Sequence, residues 1–103
     1  MLDQNTVAVL TGQYAEDVKR AFSPSAIVLY GSYAKGTARE GSDIDVAVIF
    51  DGYRGDWLRD SALLWKLAHK RSLDIEPVLL DKAGDRSGFA AEVLRTGKII
   101  YQA

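Results

Sequence analysis

Apolar residues near the N-terminus recur mostly at steps of three and four positions, which predicts an amphipathic helix. The Ser23-Pro24 pair follows this stripe, and a proline cannot continue a helix, so we expect the helix to end there. The apolar positions of the stripe are Leu2, Val7, Leu10, Tyr14, Val18 and Phe22.

Three short apolar runs rich in β-branched residues predict strands. They are AIVLY (26–30), DIDVAVIF (43–50) and LDIEPVLL (73–80). The second run alternates, with Ile44, Val46, Val48 and Phe50 on one face and Ala47 and Ile49 on the other. In the third run Pro77 has no N–H to donate to a neighbouring strand, which indicates an edge strand or a bulge.

Further helices are predicted between the strands and after the third one. We expect a short helix or turn over 32–38, a longer helix up to about residue 71, and a helix over 87–97 with Ser87 as N-cap and Gly97 at C′. KIIY (98–101) is expected to be an extended tail. The order α-β-α-β-α-β-α predicts one small α/β layer domain over residues 1–103. The apolar stripe of the long helix is expected at Leu58, Ala62, Trp65 and Ala68, with Leu64 beside it.

Composition is that of an ordinary globular chain and narrows the classes of function. Of the 103 residues 48% are apolar and 26% are charged, with a formal net charge of −1, so we expect neither a nucleic-acid nor a membrane partner. The absence of cysteine excludes disulfides and thiolate zinc sites. We expect a cytoplasmic protein, because the sequence has no basic leader followed by a long apolar stretch.

Two acidic residues at the mouth of the second strand predict a metal site. Asp43 and Asp45 are two positions apart in the run, so both side chains project to the same side with Cα atoms about 7 Å apart. Two neighbouring carboxylates repel each other unless a cation lies between them, and oxygen ligands favour Mg²⁺ or Mn²⁺. A pair of this kind also occurs as a loop cap and a solvated strand end, so its neighbours decide the interpretation.

A glycine turn just upstream supplies the neighbouring feature. Gly31-Ser32 follows the first strand and opens a short helical segment, where backbone N–H groups can approach a phosphate. Lys35 and Arg39 add positive charge nearby. The segment GSYAKGT lacks the glycine spacing and the Gly-Lys-Ser/Thr end of a Walker loop.

The stretch GSYAKGTAREGSDID (31–45) closely resembles the signature of the DNA polymerase beta-like nucleotidyltransferases, in particular the minimal nucleotidyltransferase (MNT) family. It has Gly-Ser, ten intervening residues and then Asp-x-Asp, and the leading helix, the acidic third strand and VLRTGKIIY (93–101) extend the similarity over nearly the whole chain. The resemblance implies the polymerase beta-like fold, α/β (α+β), with a small mixed sheet flanked by about four helices. It also implies a nucleotide site at Gly31, Ser32, Lys35 and Ser42.

The family's chemistry uses a third acidic residue on a neighbouring strand. Asp74 and Glu76 both qualify, and their spacing predicts one strand face for the two. We favour Glu76 because it lies deeper in the strand, behind Ile75, and keep Asp74 as the alternate. The implied catalytic and metal-binding set is therefore Asp43, Asp45 and Glu76.

Resemblance to this family implies Mg²⁺-dependent transfer of AMP from ATP, with two metal ions, or Mn²⁺ in their place, and release of pyrophosphate. Proteins of this type are encoded beside a HEPN-domain toxin and act as the antitoxin, which implies that a tyrosine of a HEPN partner is the acceptor. A homo- or hetero-oligomer is expected. Two alternatives stay open: a non-catalytic antitoxin that occludes its partner, and a small-molecule nucleotidyltransferase of the antibiotic-modifying type.

Four aromatic residues receive a structural interpretation. We expect Tyr30 to be packed and Tyr33 to be exposed beside the glycine turn. Trp57 and Trp65 lie at helical spacing and are expected in the core or on a partner-facing surface.

Overall fold

Four strands form one mixed sheet in the order β3-β2-β1-β4 in the computed structural model, which describes residues 2–103. Strand β1 pairs antiparallel with both of its neighbours, whereas β2 and β3 run parallel. The parallel pair requires a crossover, which a helix provides. The strands are β1 (Ala26–Tyr30), β2 (Ile44–Phe50), β3 (Ile75–Asp81) and β4 (Lys98–Gln102).

Four helices connect and cover these strands, as the resemblance implied. Helix α1 precedes β1, the single turn α2 lies between β1 and β2, α3 is the crossover from β2 to β3, and α4 precedes β4. Asp3 and Asp56 cap α1 and α3, since their side chains accept hydrogen bonds from Thr6 N and Arg59 N. The helices are α1 (Gln4–Ala21), α2 (Ser32–Lys35), α3 (Trp57–Arg71) and α4 (Phe89–Thr96).

The two faces of the sheet carry cores of different size. The larger core lies under α1 and α3 and takes alternate residues of β2, namely Ile44, Val46, Val48 and Phe50, as the alternation predicted. The smaller core lies under α4, where Val93 packs with Val28, Ala47 and Ile49. By alternation, Asp45 lies on this second face, near the start of β2. The smaller core on that face leaves space for polar side chains.

The buried face of α3 differs from the predicted one. Asp60, Leu64 and Ala68 are the buried residues of the helix, whereas Leu58 is 76% exposed and Ala62 and Trp65 also face solvent. The predicted stripe was wrong for these three positions because α3 carries two apolar stripes, and the sequence alone does not say which one packs. Asp60 tolerates burial because the Tyr53 hydroxyl donates a hydrogen bond to it.

The C-terminal region also departs from the prediction at three points. Gly88 is the N-cap residue of α4, so the expected cap at Ser87 was wrong, and the Asp85 carboxylate accepts from Ala90 N and Ala91 N. Gly97 is the C-cap with extended backbone, and a β-carbon there would collide with Val28 and Leu29. The expected extended tail is the paired edge strand β4.

Strand β3 lies at the other edge of the sheet, as Pro77 indicated. Among residues 2–103, no helix is both long enough and apolar enough to cross a membrane.

An ion pair between the buried Asp17 and the partly exposed Arg71 ties α1 to α3. Asp17 accepts hydrogen bonds from Arg71 Nε at 2.6 Å and from Arg71 Nη2 at 2.9 Å, and a further one from Arg20. The bond from Arg71 holds the pKa of Asp17 below its usual value of 3.8, with the charges of Arg71 and Arg20 adding to the effect. The ionised carboxylate therefore favours the folded state.

We expect Asp17→Asn to lower the free energy of unfolding by about 1–3 kcal/mol near neutral pH, because the guanidinium loses its charged partner. In the wild type the contribution is present above the unfolded pKa of 3.8 and is lost as the pH falls through the lowered folded-state pKa. Urea unfolding between pH 3 and pH 7 measures both effects. Glu16→Gln, which breaks the exposed pair with Lys19, serves as the control and should cost about 0.5 kcal/mol or less. An equal cost for the two substitutions would contradict the assignment.

Candidate active site

Three polar side chains form a row across the sheet on the face that α4 covers. Tyr30 of β1 lies opposite Asp45 of β2, and Asp45 lies opposite Glu76 of β3. Directly opposed residues on neighbouring strands project to the same face, so the three side chains stand side by side. Each is half-buried. The register of the three strands therefore builds the row.

Asp43 joins this row from the loop that enters β2. It is exposed, one residue before the strand, and lies close enough to Glu76 to raise the pKa of that carboxyl group. The structure thus brings together Asp43, Asp45 and Glu76, all three of the favoured acidic residues.

Burial and the neighbouring acids raise the pKa values of two of these acids. Burial, followed by the charge of Asp43, raises the pKa of Asp45. The hydrogen bond with Asp43 has the largest effect on Glu76 and raises its pKa, and burial and the charges of Asp43 and Asp45 raise it further. Both shifts mean that the ionised cluster opposes folding unless a cation neutralises it.

The donor set suits a hard divalent cation by its chemistry. Carboxylate oxygens are the ligands that Mg²⁺ and Mn²⁺ prefer. A bound cation would also reduce the repulsion between the ionised carboxylates. Within residues 2–103, no three acidic or histidine side chains are already arranged so that they could hold a metal ion together. The acidic side chains of the cluster would therefore have to rearrange to hold an ion together.

Gly31 lies against Asp45 and has to be glycine for two reasons. Its backbone has φ +74° and ψ −153°, a region that is essentially restricted to glycine. A β-carbon at this position would also overlap Oδ2 of Asp45. Its carbonyl accepts from Ala34 N and Lys35 N, which starts the single turn α2. The glycine turn therefore runs directly beside the carboxylates, as the motif predicted.

The other three predicted nucleotide residues occupy the segment after this glycine. Ser32 is the half-buried first residue of α2, and Lys35 is the exposed last one. Ser42 has a role within the loop, since its hydroxyl accepts from Arg39 N at 2.8 Å and its N–H donates to Arg39 O at 2.9 Å. This loop delivers Asp43 to the start of β2.

Asp74 does not share a strand face with Glu76, so that expectation was wrong. It is exposed and lies before β3 begins. Its backbone carbonyl accepts a hydrogen bond from Ile44 N at 2.7 Å, which aligns the first residues of β2 and β3. Asp74 thus helps to set the register that brings Glu76 opposite Asp45.

The sequence did not predict the aromatic pair that lies beside the carboxylates. Tyr30 packs edge-to-face with Phe89, with ring centroids 5.7 Å apart, and Phe89 is the partly exposed first residue of α4. Burial first, then the charges of Asp45 and Glu76, raise the pKa of the Tyr30 hydroxyl. The sequence feature that could have identified Tyr30 as a site residue is its position directly before Gly31. Tyr33, expected to be exposed, is buried, and its hydroxyl accepts from Leu2 N.

A family model described as "Polymerase beta, Nucleotidyltransferase" matches residues 13–103. The chain is 30% identical over 88 residues to an inferred protein adenylyltransferase from Methanocaldococcus jannaschii, a match that spans 78% of this chain and 58% of that protein. It is 35% identical over 77 residues to the protein adenylyltransferase MntA of Shewanella oneidensis, spanning 73% of this chain and 52% of that protein. The chain therefore spans little more than half the length of these curated relatives.

Two solved structures share the architecture. An inferred nucleotidyltransferase from Sulfolobus solfataricus superposes with a TM-score of 0.70 at 20% identity, over 96% of this chain and 83% of that one, which shows the fold. A crystal structure of a toxin–antitoxin with AMP-PNP superposes with a TM-score of 0.63 at 25% identity, over 99% of this chain and 75% of that one. The polymerase beta-like fold expected from the sequence is thus confirmed.

Gly31→Ala is expected to lower the free energy of unfolding by about 1–3 kcal/mol, because the backbone there disfavours any side chain. The new methyl group would also displace the Asp45 carboxylate. Gly36→Ala is the control for a positive φ alone, since Gly36 lies in the left-handed helical region at φ +75° and ψ 20° with open space around it. Urea unfolding should therefore show the larger loss for Gly31→Ala. Equal losses would contradict both the strain assigned to the Gly31 backbone and the contribution of its contact with Asp45.

Asp45→Asn should raise the melting temperature in the absence of divalent ions, because it removes one charge from the crowded cluster. Added Mg²⁺ should stabilise the wild type more than this variant, which scanning calorimetry measures. Asp74→Asn, outside the cluster, should melt with the wild type in both conditions. A fall in the melting temperature of Asp45→Asn without metal would refute the strained-cluster interpretation.

Proposed function

Because the chain belongs to the polymerase beta family of nucleotidyltransferases, we propose that it transfers AMP from ATP to a hydroxyl group of a protein acceptor, with pyrophosphate as the leaving group. The observation that carries the proposal is the contact between Gly31 and Asp45, within a row that also contains Glu76. This contact joins a candidate phosphate-binding turn to a candidate metal-binding cluster.

The carboxylates of the row would hold Mg²⁺. Asp43 and Asp45 are the principal ligands in this proposal, and Glu76, opposite Asp45 on β3, is the third. The bound ion supplies charge neutralisation on the triphosphate and on the departing pyrophosphate. Glu76, when ionised, accepts the proton of the acceptor hydroxyl as the new oxygen–phosphorus bond forms and the bond to pyrophosphate breaks.

The glycine turn would hold the triphosphate. The lack of a β-carbon at Gly31 keeps the backbone open beside Asp45, and Ser32 and Lys35 add a hydroxyl and a positive charge on the following turn. Ser42 acts by fixing the loop that carries Asp43. The aromatic pair of Tyr30 and Phe89 bounds the same face of the sheet and would limit how the substrate enters.

The acceptor is a partner protein in this proposal. Both curated relatives carry the name protein adenylyltransferase, and one similar structure is a toxin–antitoxin with AMP-PNP. We infer that this chain acts as the antitoxin of such a pair and modifies a tyrosine of a HEPN-domain toxin. ATP and Mg²⁺ are its substrate and its cofactor.

Asp43→Asn combined with Asp45→Asn should abolish the Mg²⁺-dependent transfer of label from α-³²P-ATP, because the cluster loses both principal ligands. The acceptor is the protein encoded beside this chain, and the chain is used in substoichiometric amounts. Glu76→Gln should lower the rate by about 100-fold through loss of the base. Asp74→Asn is the control and should retain the wild-type rate.

Transfer by the doubly substituted protein would remove the acids from the mechanism. The other contrary result is that the wild type transfers no label and silences its partner only when the two proteins are equimolar. That result would replace the proposal with the non-catalytic alternative, in which the chain occludes its partner. A calorimetric titration of the wild type with ATP and Mg²⁺ provides a second test of the site itself.

A further inference from the structure

Helix α3 carries an apolar stripe that the folded domain leaves exposed. Leu58 is 76% exposed, and Ala62 and Trp65 follow it at steps of four and three on the outward side. The ring of His69, one turn further on, packs edge-to-face against Trp65 at 5.1 Å. The stripe has helical spacing, yet the core of the domain uses the opposite face, so the apolar pattern is unexplained by folding.

A groove of about 200 Å³ separates this stripe from the edge strand β3. Its α3 wall includes Trp57, Ser61 and Trp65, and its β3 wall includes Pro77, Val78 and Leu79. Trp57 is 53% exposed. The buried Ser61 hydroxyl has no hydrogen-bond partner among residues 2–103, although buried polar groups ordinarily have one.

Basic residues line the other side of the stripe. Arg59, Lys66 and Lys70 are exposed and recur at steps of seven and four, so they share one face of the helix. Arg59 makes a 3.5 Å contact with the buried Asp60, and its side chain is still largely in solvent. A segment that covers both the groove and the stripe would therefore meet an apolar surface with a positive rim on the side away from β3, which complements an acidic amphipathic segment.

We propose that the face formed by the α3 stripe, the groove and the basic rim docks an acidic amphipathic helix of the partner protein. The proposal rests on the proposed function, because it takes the protein acceptor as the occupant. A second copy of this chain fits poorly, since an antiparallel two-fold pairing of α3 would bring two basic rims together. Pro77 directly follows Glu76, so the docked partner lies along the strand that carries a catalytic carboxylate.

The chain has two tryptophans, and both line the groove, so their fluorescence reports its occupation. The probe is a tryptophan-free helical peptide with leucines at helical spacing and glutamates at its other positions, and a matched peptide has lysine for each glutamate. The acidic peptide should bind, and its affinity should fall as salt rises. The lysine peptide should bind at least about tenfold more weakly.

Two pairs of variants localise the binding. Leu58→Asp should weaken acidic-peptide binding about tenfold, whereas Leu73→Asp, at a leucine that is 79% exposed and lies outside α3, should leave it unchanged. Lys66→Glu with Lys70→Glu should weaken it similarly, whereas Lys82→Glu with Lys98→Glu should not. All of these positions are exposed, so the variants are expected to fold.

Several results would overturn the docking proposal: absence of a fluorescence change, equal binding of the lysine peptide, or displacement by a mixed-sequence single-stranded oligonucleotide. Self-association of the wild type that Leu58→Asp abolishes, seen by sedimentation, would assign the face to a second copy instead. The Asp43→Asn, Asp45→Asn protein should bind the peptide as the wild type does. If the wild type binds the peptide but transfers no AMP, the proposed function fails and the docking proposal stands. If it transfers AMP but does not bind the peptide, the docking proposal alone fails.

Discussion

The parallel pairing of β2 with β3 is the constraint on which the rest of the structure depends. It sets Glu76 directly opposite Asp45 and brings it into contact with Asp43, so three acidic groups meet at one end of the sheet. The hydrogen bond from Ile44 N to Asp74 O fixes this register at its first residue. Folding must therefore stabilise a cluster whose charges repel, and the core on either face provides that stability.

The rest of the domain is arranged around this cluster. The larger core lies on the face opposite the acids, where α1 and α3 are joined through Asp17 and Arg71. The face that bears the acids has α4 as its cover, and its first residue Phe89 meets Tyr30 at the end of the carboxylate row. Gly31 and Gly97 allow close approach where a side chain would collide, one beside Asp45 and the other beside β1.

The strands could be predicted from sequence because alternation and β-branched residues are local signals. Gly31, Asp43 and Asp45 could be predicted equally well, since the glycine turn and the two acids lie within one motif. The choice between Asp74 and Glu76 needed the register of β3 on β2, which depends on contacts distant in the sequence. The pairing of β4 and the burial of Tyr33 depend on the same kind of contact. The buried face of α3 was predicted wrongly because Leu58, Ala62 and Trp65 form a stripe as regular as the one that packs.

The central claim is that the acids at the start of β2 bind divalent cations together with a nucleotide. Crystals of the chain grown with Mn²⁺ and a non-hydrolysable ATP analogue test it most directly, through the anomalous scattering of manganese. We predict anomalous peaks in contact with the carboxylates of Asp43 and Asp45, with the phosphates of the analogue on the Gly31–Ser32 turn. An ordered nucleotide bound elsewhere, or manganese that avoids both aspartates, would contradict the account.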